Sequence, residues 1–190
     1  AVSCRRKSWS QGQPAPGHDI RVIDEEGHEL PRGEIGELVG RSDLVMSGYH
    51  NRKEQTDAAT WISPEGLAFI RTGDVGRFDA EGFVELMDRK KDMIISGGFN
   101  IYPSDLEAVL RQHPDVADVA VVGVPSAEWG ETPVAFIVSR GADAETLRAF
   151  ANERVGKTQR ISAVRLIDEL PRSHIGKILK RELRDAYVAG

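Results

Sequence analysis

Three short stretches carry residues whose types and spacing suit chemistry. The first is PRSHIGKILKREL (171–183), where Gly176 sets Lys177 directly ahead of a helical run. The glycine frees the backbone, and lysine carries a compact cation on a flexible stem, able to reach a phosphate or carboxylate in a neighbouring site. Read alone, the pair is equally a turn residue beside a solvated charge. Arg172, Lys180, Arg181 and Arg184, set against Glu182 and Asp185, fit a solvated helix face as well as a binding surface. The second stretch is RTGDVGR (71–77), which predicts a carboxylate on a tight turn between two strands. Asp74 there could accept two hydrogen bonds from a vicinal diol such as ribose, but the local pattern favours a side chain capping its own turn. The third is DRKKDMIISGGFNIYPSDLE (88–107). Three cations between two aspartates precede a strand, and the Gly97-Gly98 pair that follows would let a backbone or a thin ligand approach closely. A charged strand entry with a flexible turn explains it equally well.

Composition removes several classes of function. The 190 residues fit one domain or two small ones. A net charge of −5 argues against general nucleic-acid binding, which wants a basic surface. The single cysteine, Cys4, forms no internal disulfide and no cysteine cluster for metal. The five histidines show no ligand-like spacing, so no metal site is expected. The longest apolar run, VAVVGV (119–124), is too short to cross a bilayer, and AVSCRRKSWS lacks the apolar core of a signal peptide. A reducing cytoplasm fits these features.

The elements that must position the three stretches change in kind along the chain. Residues 1–18 read as a tail or loop, and 19–87 as a β-rich segment. In it, HDIRVID, GEIGELVG and LAFI (67–70) are strands, RFDAEGFVELMD is a hairpin with DAEG at its tip, and a short helix falls at about 54–60. A hinge at 88–92 leads into an α+β lid over 93–190. There KKDMIIS is a strand, and PSDLEAVLRQHP is a helix with a Ser104/Glu107 capping box, an apolar stripe of Leu106, Val109 and Leu110, and Pro114 as its stop. VADVAVVGV, TPVAFIV and AVRLIDELP supply a three-stranded sheet. ADAETLRAFANERV and ILKRELRDAYV are helices, the first burying Leu147, Phe150, Ala151 and Val155 and the second aligning Leu179, Leu183 and Tyr187. The expected class is α+β: a small β-rich part, a remnant of a larger domain, followed by a compact lid.

Taken together, the stretches resemble the C-terminal part of the adenylate-forming superfamily, which includes acyl-CoA synthetases, firefly luciferase and peptide-synthetase adenylation domains. GELVGRSDLVMSGYHNRKEQT (36–56) resembles its GEL strand with a following GYxN, and FIRTGDVGRFDAEGFVEL its TGD motif. DRKKDMIISGGFNIYPSDLEAVL resembles the hinge motif and ELPRSHIGKILKREL the terminal lysine motif. The likeness spans about residues 14–190, with four motifs in the family's order.

The resemblance implies that a carboxylic acid and ATP, with Mg2+ held mainly by the nucleotide, give an acyl-adenylate and pyrophosphate; the lid then rotates and the thiol of coenzyme A attacks. It implies that Asp74 holds the ribose hydroxyls, Arg89 meets the nucleotide near ribose and phosphate, and Lys91 is the hinge residue. Lys177 would touch the carboxylate and the bridging oxygen, on a loop that its glycine lets extend. SGGFN resembles the CoA-ligase version of the hinge motif, so Gly97 and Gly98 would line the pantetheine tunnel, with Trp129 of AEWGE packed beside it or simply ending a strand. A fatty acid of medium or long chain is the expected acid. Loading of a carrier protein, or a non-catalytic module that binds a nucleotide or partner, are the alternatives, and a homodimer is compatible with the sequence. Two departures stand out. Where the family often has Tyr-Lys-x-Pro, this chain reads Thr158-Gln159-Arg160-Ile161, so Arg160 or Lys157 would have to substitute. The family's phosphate loop and acyl pocket are missing from these 190 residues and would belong to an N-terminal domain preceding Ala1, so the segment alone is expected to be inactive. The P-x4-G-K context also resembles sites where the lysine is acetylated.

Overall fold

The computed structural model describes residues 11–189; Cys4 and most of the expected tail lie outside the described residues. The chain forms two compact units that divide between Lys91 and Asp92.

The first unit is an antiparallel sheet of five strands: β1 (Asp19–Ile23), β2 (Gly36–Arg41), β3 (Thr60–Ile62), β4 (Ala68–Phe78) and β5 (Val84–Arg89). The single helix described here, α1 (Lys53–Ala58), buries no residue. Strand alternation sends Ile23, Val39, Trp61 and Phe69 to one apolar cluster and Val22, Leu38 and Val84 to another. β4 is the spine: β2 pairs along one edge, while β3 and β5 share the other. Its length corrects one expectation. LAFI does not stop before the TGD motif; the strand runs through it, and the motif is accommodated as a bulge. The DAEG tip forms as expected, with Asp79 N–H donating to Phe83 C=O at 2.9 Å and Gly82 at φ 82°. Folding also gathers ligand atoms of Asp24, Glu26 and His28 within 4.8 Å in the turn after β1, a proximity that histidine spacing did not reveal.

The second unit runs β6 (Ile94–Ser96), β7 (Phe99–Ile101), α2 (Pro103–Leu110), β8 (Val116–Ser126), β9 (Gly130–Ser139), α3 (Ala144–Asn152), β10 (Ala163–Leu166) and α4 (Lys180–Ala189). The expected strands β8, β9 and β10 are widened by β6 and β7 into a five-stranded sheet, and β10 lies parallel to β9. Both faces are covered, which is why the strands read as continuous valine-rich runs rather than alternating ones. Val119, Val121, Ala135 and Ile137 face Leu106, Leu110, Leu147 and Ala151 of α2 and α3. Ala120, Val122, Val134 and Phe136 face Leu183 and Tyr187 of α4.

The start of α2 differs from the expected Ser104/Glu107 capping box. α2 begins at Pro103 with Tyr102 as its N-cap, because proline suits the first helical position. Glu107 turns inward instead. Asp143 caps α3, its carboxylate accepting the Thr146 N–H at 2.8 Å.

Candidate functional site

Asp74 and Arg89, 15 positions apart, are direct cross-strand partners of β4 and β5, and Arg89 Nε meets Asp74 Oδ1 at 2.8 Å. Two irregularities build this corner. Between Val39 and Glu37 of β2, β4 advances from Arg71 to Val75, so Thr72-Gly73-Asp74 bulges. Opposite, the β4–β5 register shifts between Val75 and Gly76. Bulges re-aim side chains and gather beside active sites. Gly73 takes φ 70°, a conformation costly for other residues. Thr72, not Asp74, does the local capping: its hydroxyl donates to Leu38 C=O at 2.8 Å and accepts the Asp74 N–H at 3.1 Å. Asp74 is therefore not consumed by its own turn. Arg89 takes Oδ1, and the Asp74 side chain remains partly exposed. Lys91 is exposed and lies in a single 3-10 turn, Lys90–Asp92, where the two units divide.

Gly97, Gly98 and Trp129 come together in the second unit. Gly97 and Gly98 close the β6–β7 hairpin at φ 56° and 81°. The Gly97 N–H donates to Trp129 C=O at 2.8 Å. A Cβ on Gly97 would sit 2.7 Å from the Trp129 ring, so the hairpin passes against the indole only because that position has no side chain. Trp129 ends neither strand; it lies in the β8–β9 loop, half exposed. It borders a cavity of about 440 Å³ lined also by Phe99, Lys157, Thr158, Arg160 and Ile161. Arg148, on the same wall, is committed to Glu145 at 2.6 Å, and that pairing raises the pKa of its guanidinium. Lys157 and Thr158 sit in a 3-10 turn with Arg160 just beyond, so the stretch that departs from the family pattern faces the same space. Near this hairpin, burial pushes the Tyr102 phenol pKa up, with Asp105 adding to it.

Lys177 is exposed on a loop tied at several points. Gly176, at φ 82°, does not extend the loop; it closes a turn, its N–H donating to Ser173 C=O at 2.8 Å. Ser173 N–H donates to Lys177 C=O at 2.8 Å, and Lys177 N–H to the Ser173 hydroxyl at 3.2 Å. The lysine loop and the Trp129 cavity lie at opposite ends of β8. The loop is tied to Asp118 near the start of the strand, whereas Trp129 follows its last residue, Ser126. At ~3.3 Å per residue, roughly 25 Å of strand separates them.

Sequence reasoning gave Glu37 no role and Glu107 only a capping one, yet both carboxylates are buried. Glu37 of β2 is met by Arg71 at 2.6 Å and Lys90 at 3.0 Å. Glu107 of α2 accepts from Val121 N–H at 3.0 Å and pairs with Arg111 at 3.1 Å and Lys180 at 2.9 Å. Glu37 sits in the GEL signature, and Glu107 is the one acidic residue on the apolar stripe of α2. A charge at a core position is the signal that could have found both.

The description "AMP-binding enzyme C-terminal domain" matches residues 105–177, and "AMP-binding enzyme" matches residues 2–50. A rice protein, 4-coumarate–CoA ligase-like 9, is 42% identical over 186 residues, which is 96% of this chain and 33% of that protein. A long-chain-fatty-acid–CoA ligase from Escherichia coli is 42% identical over 180 residues, 94% of this chain and 31% of the relative. The crystal structure of ATP-bound MatB from Rhodopseudomonas palustris superposes with a TM-score of 0.87 at 36% identity, covering 94% of this chain and 36% of that one. The chain thus spans about a third of the length of the relatives it matches. With both descriptions in order and the fold shared, the chain belongs to the adenylate-forming, AMP-binding enzyme family and corresponds to its C-terminal portion.

Proposed function

We propose that this chain is the C-terminal part of an ATP-dependent acid–CoA ligase, joined at Lys91 by a hinge. The observation that carries the reading is the placement of Lys177 and the Trp129 cavity at opposite ends of one rigid sheet. Neither can serve the same reaction centre while the other does. A unit that turns about Lys91 would present first one end and then the other.

In the first step a carboxylate oxygen attacks the α-phosphorus of ATP and pyrophosphate leaves. Asp74 Oδ2 accepts ribose hydroxyl protons while Arg89 lies alongside as the phosphate-facing cation. With Oδ1 held by Arg89, Asp74 suits a hydroxyl better than a metal, so Mg2+ would travel on the phosphates. Lys177 supplies positive charge where negative charge develops, a contribution worth on the order of 10²–10³ in rate. In the second step the CoA sulfur attacks the acyl carbon and AMP departs. The Gly97-Gly98 backbone and the Trp129 and Phe99 rings suit the slim pantetheine arm, and Lys157 and Arg160 suit its phosphates, in place of the family's usual lysine. For the acid we favour a medium- or long-chain fatty acid, supported by the name of the Escherichia coli relative. We place the enzyme in the cytoplasm, where both nucleotide substrates are found.

The test joins this segment to the preceding region its relatives carry. Pyrophosphate release is measured with ATP, CoA and a panel of fatty and aryl acids. Turnover with fatty acids, abolished in the first step by Lys177→Ala, supports the reading. Turnover of no acid, or a first step indifferent to Lys177→Ala, overturns it.

A further inference from the structure

The geometry points to Arg172 as a positioning residue for Lys177, an inference that rests on the role proposed above for that lysine. Arg172 lies five positions before Lys177, and its guanidinium bridges the loop to β8. One amino group, Nη1, donates to the Gly176 carbonyl at 2.7 Å. The other, Nη2, meets Asp118 Oδ2 on β8 at 2.6 Å. Asp118 is itself oriented, since its Oδ1 accepts the Val119 N–H at 2.9 Å. Each carboxylate oxygen thus has one donor, and the line from sheet to loop is continuous: Val119 amide, Asp118, Arg172, and the carbonyl immediately before Lys177.

The planar guanidinium makes this link rigid. Its fork delivers two hydrogen bonds in a fixed relation, which an ammonium on a flexible stem does not. The site is partly exposed, with side-chain exposures of 44% for Arg172 and 34% for Asp118, so the pair adds little to global stability. What it does is local. Gly176 has no side chain and adopts a left-handed φ, and the peptide joining it to Lys177 is held on its N–H side by the longer bond to the Ser173 hydroxyl at 3.2 Å, so Arg172 supplies the shorter tie, on the carbonyl side. On the far side of the lysine, Lys180 is anchored to the buried Glu107 at 2.9 Å. Lys177 therefore projects from a short span fixed at both ends to the body of the unit.

The experiment has two arms. In the 190-residue chain, Arg172→Gln should speed amide hydrogen exchange at Ser173, Gly176 and Lys177 by about tenfold while leaving β8 and β9 amides unchanged. In the full-length ligase, the same substitution should slow adenylate formation on the order of tenfold to a hundredfold, the usual range for a misplaced catalytic group. Thioester formation from supplied acyl-adenylate should keep its rate, and Arg172→Lys should restore only part of the first step. A merely structural loss would slow both steps together, and that result overturns the proposal. So does unchanged exchange in the loop, or faster exchange with a normal first step. Failure of the underlying reading shows differently: Lys177→Ala would leave the first step intact whatever Arg172 does.

Discussion

Arg89 Nε and Asp74 Oδ1 stand 2.8 Å apart across the last cross-strand pair of β4 and β5, on a corner made by bulges in both strands. The pair orients the carboxylate, which stays partly exposed. Asp74→Asn keeps the shape and removes the charge. It should raise the KM for ATP about tenfold, as loss of a hydrogen bond to a charged group costs ~1.5–3 kcal/mol. Melting should hardly change, because partly exposed pairs contribute about 0–1 kcal/mol. A large loss of Tm with unaltered ATP dependence would assign Asp74 to folding instead.

Gly97 tests the hairpin against Trp129. Alanine there brings a methyl group to 2.7 Å from the indole and forces a left-handed φ, which alone costs about 1–2 kcal/mol. The ring must shift. In the ligase proposed above, with its preceding region joined, Gly97→Ala should raise the KM for CoA while pyrophosphate release from the first step stays normal. An unmoved CoA dependence would detach this hairpin from the thiol site.

Glu107 is the buried junction of α2, β8 and α4. Glu107→Ala removes the partner of Lys180, itself 17% exposed, and strands the Val121 N–H. Breaking such a group should cost ~2–4 kcal/mol, readable in chemical denaturation of the 190-residue chain. Glu107→Gln, which keeps an acceptor for Val121, should cost less. Equal losses for the two would mean that the charge, which both remove, carries the effect and the Val121 hydrogen bond contributes little.

Asp143 offers a pH readout. The Thr146 N–H, helped by the Thr146 hydroxyl, holds its carboxyl below the ordinary value of 3.8. A depressed folded-state pKa gives stability that is present above the unfolded value and lost as pH falls through the folded one. Asp143→Ala should therefore lower Tm at pH 7, and the gap from the unchanged chain should close as pH drops below 3.8. A gap that persists at pH 2 would point to helix propensity rather than the ionised cap.

Element types were largely legible because their signals are local. The periodicity of Leu106 and Leu110, the DAEG tip and the valine runs each report their own surroundings, and α2, the β4–β5 hairpin, β8 and β9 follow them. β3 and β7 were not legible: each has three residues, too few to show a period, and each exists by pairing with a neighbour already in place. The TGD stretch read as a turn because Thr-Gly-Asp has turn composition; the edges of β2 and β5 instead draw it into a bulged strand.

The candidate residues themselves were named by the sequence, since Lys177, Asp74, Arg89 and the glycine pair sit in ordered motifs. Their partners were not. That Arg89 pairs with Asp74, that Arg172 reaches Asp118, 54 positions away, and that Glu107 holds Lys180 follow from strand register and helix packing. Side-chain type and local spacing declare what a residue can do chemically. Which charge it meets is decided only when distant segments are brought within hydrogen-bond reach, a condition that no local pattern encodes.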